Sequence, residues 1–216
     1  MKSTQPLGLP PATVYFLKPT HMEAMVNAIV SSAKKSLLFP LAWRHKVAGI
    51  LEGYLTKESL WDRLVFDDAR SSILGEAAPS TRAVIVSDGT VPARLLTPAR
   101  VALSVPLVVA HTHPLVSAPI LASHPHDMQT FALTSDKELA HVGPPTVNIE
   151  VKLVGVDDEA VEKGVDPAGV LHMRGPIVGQ ALTLTDDEEN YAPKEDGRWV
   201  STGDQARVQT NGVFVA

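Results

Sequence analysis

The chain of 216 residues contains no cysteine. That absence excludes disulfides, thiolate metal centres and cysteine nucleophiles together, and it fits a reducing compartment. Positive charge is not in excess either: 19 Lys and Arg stand against 24 Asp and Glu, a net charge of −5. A chain of that balance lacks the electrostatic footprint for wrapping nucleic acid. No apolar run approaches the roughly 18 residues of a membrane span. Pro6, Pro10, Pro11 and Pro19 interrupt the N-terminus before a signal-peptide core could form. The phosphate loop G-x-x-x-x-G-K-[ST] and the nucleophile elbow G-x-S-x-G are missing, and no internal repeat stands out. What remains is 44% hydrophobic and 20% charged, the balance of a soluble globular protein, expected in the cytoplasm.

Apolar spacing predicts a helix over Thr20–Lys35, with Thr20 and Glu23 as a capping box and Met22, Val26, Ile29, Val30 and Ala33 on one face. A second helix is predicted over Ser59–Leu74. Ser59 and Asp62 cap it, Leu60, Leu64, Ala69 and Ile73 form its stripe, and Gly75 ends it. Between them, Phe39–Gly53 is a mixed basic and aromatic segment containing Trp43, Arg44, His45 and Lys46. Strand Ala83–Ser87, helix Pro98–Ser104 and strand Val105–Ala110 then read as a βαβ crossover. From about Ala140 short β runs recur at Asn148–Val156, Val170–Arg174 and Arg207–Val215, the last carrying the hairpin signal Asn211-Gly212. The expected fold class is α/β: a partial parallel sheet with flanking helices over 1–135, then a small β-barrel-like portion over 136–216.

Histidine is concentrated at His111, His113, His124 and His126. The first two leave the C-terminal end of a buried strand, where open α/β sheets bind ligands. A His-x-His pair can present two imidazoles to one metal, and a metal-dependent hydrolase is one reading. Only Asp127 lies close in sequence, though, and the fuller His-x-His-x-Asp-His pattern is absent. The plainer alternative is loop histidines stiffened by Pro114 and Pro125. Ser87-Asp88-Gly89-Thr90 follows a strand directly, and such a turn can offer backbone N–H groups to a phosphate. The runs Asp157–Glu159 and Asp186–Glu189 lack Ca²⁺-loop spacing and read as solvated loops or helix starts. Trp199-Val200-Ser201-Thr202-Gly203-Asp204 is more pointed. An Asp after a Thr-Gly turn, just ahead of a hairpin, can accept two hydrogen bonds from vicinal hydroxyls such as those of a ribose; a plain turn is the alternative.

These pieces occur in one order in the adenylate-forming (AMP-binding) superfamily. Gly197–Asp204 with Gly212 beyond it resembles that superfamily's G-W-x-x-T-G-D … G motif. Gly169-Val170-Leu171-His172-Met173-Arg174-Gly175-Pro176 resembles its G-E-I-x-x-R-G-P strand, and Val142-Gly143-Pro144-Pro145 with Glu150–Leu153 resembles its VG-x-P … e-x-K-l stretch. Ser59-Leu60-Trp61-Asp62-Arg63-Leu64-Val65-Phe66 is similar to a string in eukaryotic long-chain fatty acyl-CoA synthetases, where a turn like Ser87–Pro92 follows. The resemblance implies ATP-dependent activation of a fatty acid to an acyl-adenylate, with Mg²⁺, followed by transfer to CoA. It implies that Asp204 and Thr202 lie at the ribose, Ser87 and Gly89 border the adenine and acyl pockets, and His111 and Thr112 occupy the place of the Y-G-x-T-E motif. Peripheral association with the endoplasmic reticulum or another membrane is implied in the same way.

The departures set the remaining expectations. His111-Thr112-His113-Pro114-Leu115 replaces Y-G-x-T-E, so the phosphate-contacting hydroxyl and the Mg²⁺-holding Glu are gone. Asp88 stands where the family has Gly, and Val170 replaces the strand Glu. The family's phosphate loop would lie before Met1 and its lid with the catalytic Lys after Ala216. The chain is therefore expected to be a partial or truncated member, inactive alone, with no catalytic residue assigned and no metal ligand. A half-domain should also expose apolar surface, predicting self-association or pairing with a full-length relative.

Overall fold

The computed structural model describes residues 11–130, 138–179 and 199–216. The run Asp186–Glu189 and the motif residues Gly197 and Arg198 lie outside these. The first predicted helix is α1, Pro19–Ala33, and Met22, Val26, Ile29 and Ala33 are buried along it. Its start differs from expectation. Lys18 is the N-cap and no side chain caps the helix, because Pro19 with its fixed φ opens the first turn one residue before Thr20. The segment left unassigned by the sequence is a second helix, α2, Phe39–Leu51, burying Ala42, Lys46 and Ile50.

The predicted cap at Ser59 forms. Asp62 N–H donates to Ser59 Oγ and Ser59 N–H donates to Asp62 Oδ2, both at 3.2 Å. Its expected stripe does not. Asp62–Phe66 is a π-helical turn ahead of α3, Asp67–Leu74, and the wider turn rotates the face that meets the core. Val65, Phe66 and Ala69 are buried, while Leu60, Leu64 and Ile73 are exposed. A short α4, Ala77–Ser80, follows.

The first sheet has the order β1-β2-β3-β4, from Val14–Leu17, Ala83–Val86, Leu107–His111 and Leu121–Ala122. The first three strands are parallel and β4 is antiparallel to β3. The βαβ crossover is present: a 3-10 turn, Ala93–Leu95, and α5, Leu96–Leu103, join β2 to β3. Val84, Val86, Leu107 and Val109 share one core with Met22, Val26 and Ile29 of α1 and Leu96 of α5. The alternate residues Phe16, Ile85 and Val108 sit side by side in register, and Phe16 is 74% exposed.

The second sheet is a curled antiparallel array, β5-β6-β7-β8, from Glu150–Val154, Ala168–Arg174, Val200–Val208 and Phe214–Val215. Asp157 caps the small α6, Asp158–Glu162, by accepting the Ala160 N–H at 3.2 Å, so this acidic run is a helix start. The predicted hairpin joins β7 to β8 through a loop of residues 209–213. There Asn211 Oδ1 accepts the Val213 N–H, and Gly212 takes φ +80°. One extended segment stitches the sheets together. Val142 N–H donates to Phe214 O and Phe214 N–H to Gly143 O, at 2.8 and 3.0 Å. Ala122 N–H donates to Pro144 O at 3.2 Å.

Candidate functional site

The carboxyl edge of the parallel strands carries three exits: Lys18 after β1, Ser87–Gly89 after β2 and His111–Thr112 at the end of β3. Ser87 N–H donates to Leu17 O at 3.0 Å, which ties the β2 turn to β1. Asp88, the departure that adds negative charge, sits at φ +63° with its carboxylate 2.5 Å from Lys18 Nζ. Both groups are exposed, so the pair offsets the charge locally without holding the turn strongly.

Asp204 comes from the second sheet and is not placed by a turn. Thr202, Gly203 and Asp204 lie within β7, opposing Leu171 alone between the register pairs His172/Ser201 and Val170/Gln205. This is a bulge, which re-aims a side chain at the cost of ladder pairing. Gly203 takes φ +80° at its crest. Thr202 Oγ1 donates to Leu171 O at 2.9 Å and accepts the Asp204 N–H at 3.1 Å. Thr202 thus fixes Asp204 through its backbone, with its own hydroxyl already committed.

The bulge carries Asp204 to the end of β3, where its Oδ2 lies 3.1 Å from His111 Nε2. The approach is off the N–H axis, and Nε2 is left without a well-formed hydrogen bond. Main-chain pairing locks the histidine, since Ile120 N–H donates to His111 O at 2.8 Å. Burial holds the imidazole below its ordinary pKa; Asp204 opposes that shift and His113 adds to it. The ring is therefore neutral at neutral pH, and the contact is not a full ion pair. The side chains are 17% and 49% exposed, so the Asp204 carboxylate remains open to solvent on one side.

Of the residues expected at a nucleotide, His111 and Asp204 meet. Ser87 and Gly89 lie on the neighbouring strand exit, and Thr112 is exposed beyond His111. Two of the other three histidines in the cluster are engaged by neighbouring backbone. His113 Nδ1 accepts the Leu115 N–H, and His124 Nδ1 accepts the His126 N–H. Asp127 approaches His141 at 3.2 Å, not His111. Among the described residues no three His, Asp or Glu side chains converge on a possible metal position. At the Mg²⁺ position implied by the resemblance, Leu115 packs against the core and its carbonyl accepts the Gly179 N–H at 2.7 Å. These residues do not fit a Mg²⁺ ion, which needs oxygen ligands.

Two constellations escaped the sequence reading. Trp199, at the start of the Asp204 strand, is gripped by two cations: Lys152 Nζ lies 4.4 Å and Arg174 Cζ 4.7 Å from its ring centroid. Beneath the helices, Asp62 accepts from Lys46 Nζ at 2.8 and 2.9 Å and from Arg70 at 2.5 Å, with all three side chains at most 6% exposed. The Phe39–Gly53 segment holds the lysine of this network, and a basic residue in a mixed segment gives no local sign of burial.

No family model matches the chain. Among curated proteins it is similar to long-chain-fatty-acid–CoA ligase 1 of Homo sapiens, 28% identical over 205 residues, covering 94% of this chain and 27% of the relative. The ligase 1 of Cavia porcellus is 26% identical over 217 residues, 99% of this chain and 28% of the relative. Thus the chain spans about a quarter of the length of these proteins. Solved structures share its fold. An anthranilate CoA ligase in complex with anthranoyl-AMP matches with a TM-score of 0.55 at 17% identity, over 94% of this chain and 28% of that one. The O-succinylbenzoate coenzyme A synthetase of Bacillus subtilis in complex with AMP matches at 0.52 and 15%, over 94% and 30%. Among the described residues no helix is long and apolar enough to cross a membrane.

Proposed function

We propose, from the similarity of nearly the whole chain to long-chain-fatty-acid–CoA ligases of the adenylate-forming kind, that it is an AMP-binding unit related to fatty-acid activation. Asp204 carries this reading: its open carboxylate, aimed by the Thr202 bulge to the carboxyl edge of a parallel sheet, suits the vicinal hydroxyls of a ribose. Ser87 and Gly89 border the same edge, with Thr112 just past His111. The substrate classes are a fatty acid and CoA. The division is an α/β unit over 1–135 and a β-rich unit over 136–216. With Leu115 in the metal-binding place, this segment alone is not expected to complete adenylation, whose developing charge needs positioned cations. Calorimetric titration with AMP tests the reading. Binding to the folded chain that Asp204→Ala abolishes supports it; a folded chain that takes up no AMP ends it.

A second reading is favoured by the row Phe16–Ile85–Val108. Parallel sheets are ordinarily covered on both faces, yet here helices bury one face and Phe16 stays largely exposed on the other. Strand β1 also pairs only with β2 among the described residues. A second copy of the chain can cover that face and extend that edge. Sedimentation velocity should show a concentration-dependent dimer, and Phe16→Ser should weaken it by about tenfold. A monomer at every concentration tested would remove this reading.

A further inference from the structure

We infer that His111 is a built-in competitor for Asp204: its imidazole occupies the carboxylate edge that a vicinal diol would take, so diol binding requires that the ring release Asp204. This inference rests on the reading of Asp204 as a ribose acceptor and adds a device that restrains it. Geometry carries it. Nε2 stands 3.1 Å from Oδ2, the His111 backbone is fixed by the Ile120 bond, and the Asp204 backbone is fixed by Thr202. These bonds hold both main chains where the two side chains face each other.

The pairing is also imperfect, as a displaceable latch should be. The nitrogen is buried without an aligned acceptor, and the carboxylate keeps a solvent-facing side. A ribose that brings two donors to Asp204 replaces one poor contact by two better ones, but it must first pay for moving the ring. An equilibrium between occupied and competent states lowers apparent affinity by the competent fraction. His111→Phe removes the nitrogen that holds the ring to the carboxylate, so the ring can turn aside without losing a polar contact. The titratable groups facing His111 are Asp204 and His113; burial, the largest influence, lowers the imidazole pKa, Asp204 only partly offsets it, and His113 adds to it. The device is therefore a competitor set by contact and not by pH.

Calorimetry with AMP and with its 2′,3′-dideoxy analogue, on the wild-type chain, His111→Phe and Asp204→Asn, tests it. The expected result is about tenfold tighter AMP binding by His111→Phe, a gain absent for the dideoxy analogue. Equal or weaker binding of AMP by a folded His111→Phe, alongside wild-type binding that depends on the diol and on Asp204, overturns the inference and leaves the ribose reading standing. No preference for AMP over the dideoxy analogue in any folded variant overturns both. Should His111→Phe fail to fold, NMR of the His111 ring decides. Saturating the wild-type chain with AMP should move the ring resonances toward those of ligand-free Asp204→Ala, which has no acceptor for Nε2, and unmoved resonances at saturation count against the competitor.

Discussion

Asp62→Asn is expected to cost about 3–5 kcal/mol of stability, the range for removing one partner of a buried charge network. Asp62 is fully buried and collects bonds from two cations and from Ser59, whose Oγ donates at 2.5 Å. Lys46 also donates to Thr56 O at 2.6 Å, and Arg70 to Ala102 O and Ser104 Oγ, both at 2.7 Å. These bonds hold the ammonium and the guanidinium in place after the substitution, leaving both without their shared counter-charge. Asp67 binds the other end of Arg70 at 3.0 Å but is half exposed. Asp67→Asn should therefore cost about 1 kcal/mol or less. Urea midpoints of the two variants check the contrast, and equal small losses would show that Asp62 carries no special weight.

The same network sets an acid limit. Burial on its own would raise the Asp62 pKa; the hydrogen bonds from Lys46, Ser59 and Arg70 outweigh it and hold the carboxyl below its ordinary value. Burial lowers the Lys46 pKa despite the same contact. The two directions describe the pair differently, and that of Asp62 governs, because the carboxylate draws on both cations while Lys46 shares its carboxylate with Arg70. With the folded value below the unfolded one, the stabilisation is present above about pH 4 and drains away as pH falls toward the folded value. In Asp62→Asn that part of the acid transition should vanish.

What the sequence made legible follows from the range of the interactions involved. The face of α1, the Ser59–Asp62 cap and the hairpin after β7 rest on contacts within a few residues, and all three appear. Helix α2 was hidden because Lys46 occupies a buried position between Ala42 and Ile50, and its partner Asp62 comes from another element. The stripe through Leu60, Leu64 and Ile73 failed for a local reason that spacing cannot show, the π turn at Asp62–Phe66. At the site, Asp204 was recognisable as a placed carboxylate, but the device that places it is a strand bulge, visible only against the register of β6. The meeting with His111 needs both sheets and their connection.

That connection turns on Gly143, and Gly143→Ala is expected to cost about 4 kcal/mol or more while also disrupting the His111–Asp204 contact. Gly143 adopts φ +88°, and a Cβ there would lie 2.1 Å from Ala122 O and 2.6 Å from the Ser123 N. Both are backbone atoms of the first sheet's edge, so no side-chain rotation relieves the clash. The carbonyl of Gly143 meanwhile accepts from Phe214 at the edge of the second sheet. An added methyl must therefore separate the strands it joins, moving β3 with His111 relative to β7 with Asp204. Gly155→Ala supplies the comparison. It has a similar φ of +78° but nothing within 4 Å of its would-be Cβ, so it should cost only the left-handed backbone penalty of about 1 kcal/mol. The excess of the first loss over the second measures the steric joint. If the joint positions the site, AMP affinity falls in Gly143→Ala and stays at the wild-type value in Gly155→Ala. Equal stability losses, or unchanged affinity in a folded Gly143→Ala, would mean that the sheets hold their relation by other contacts.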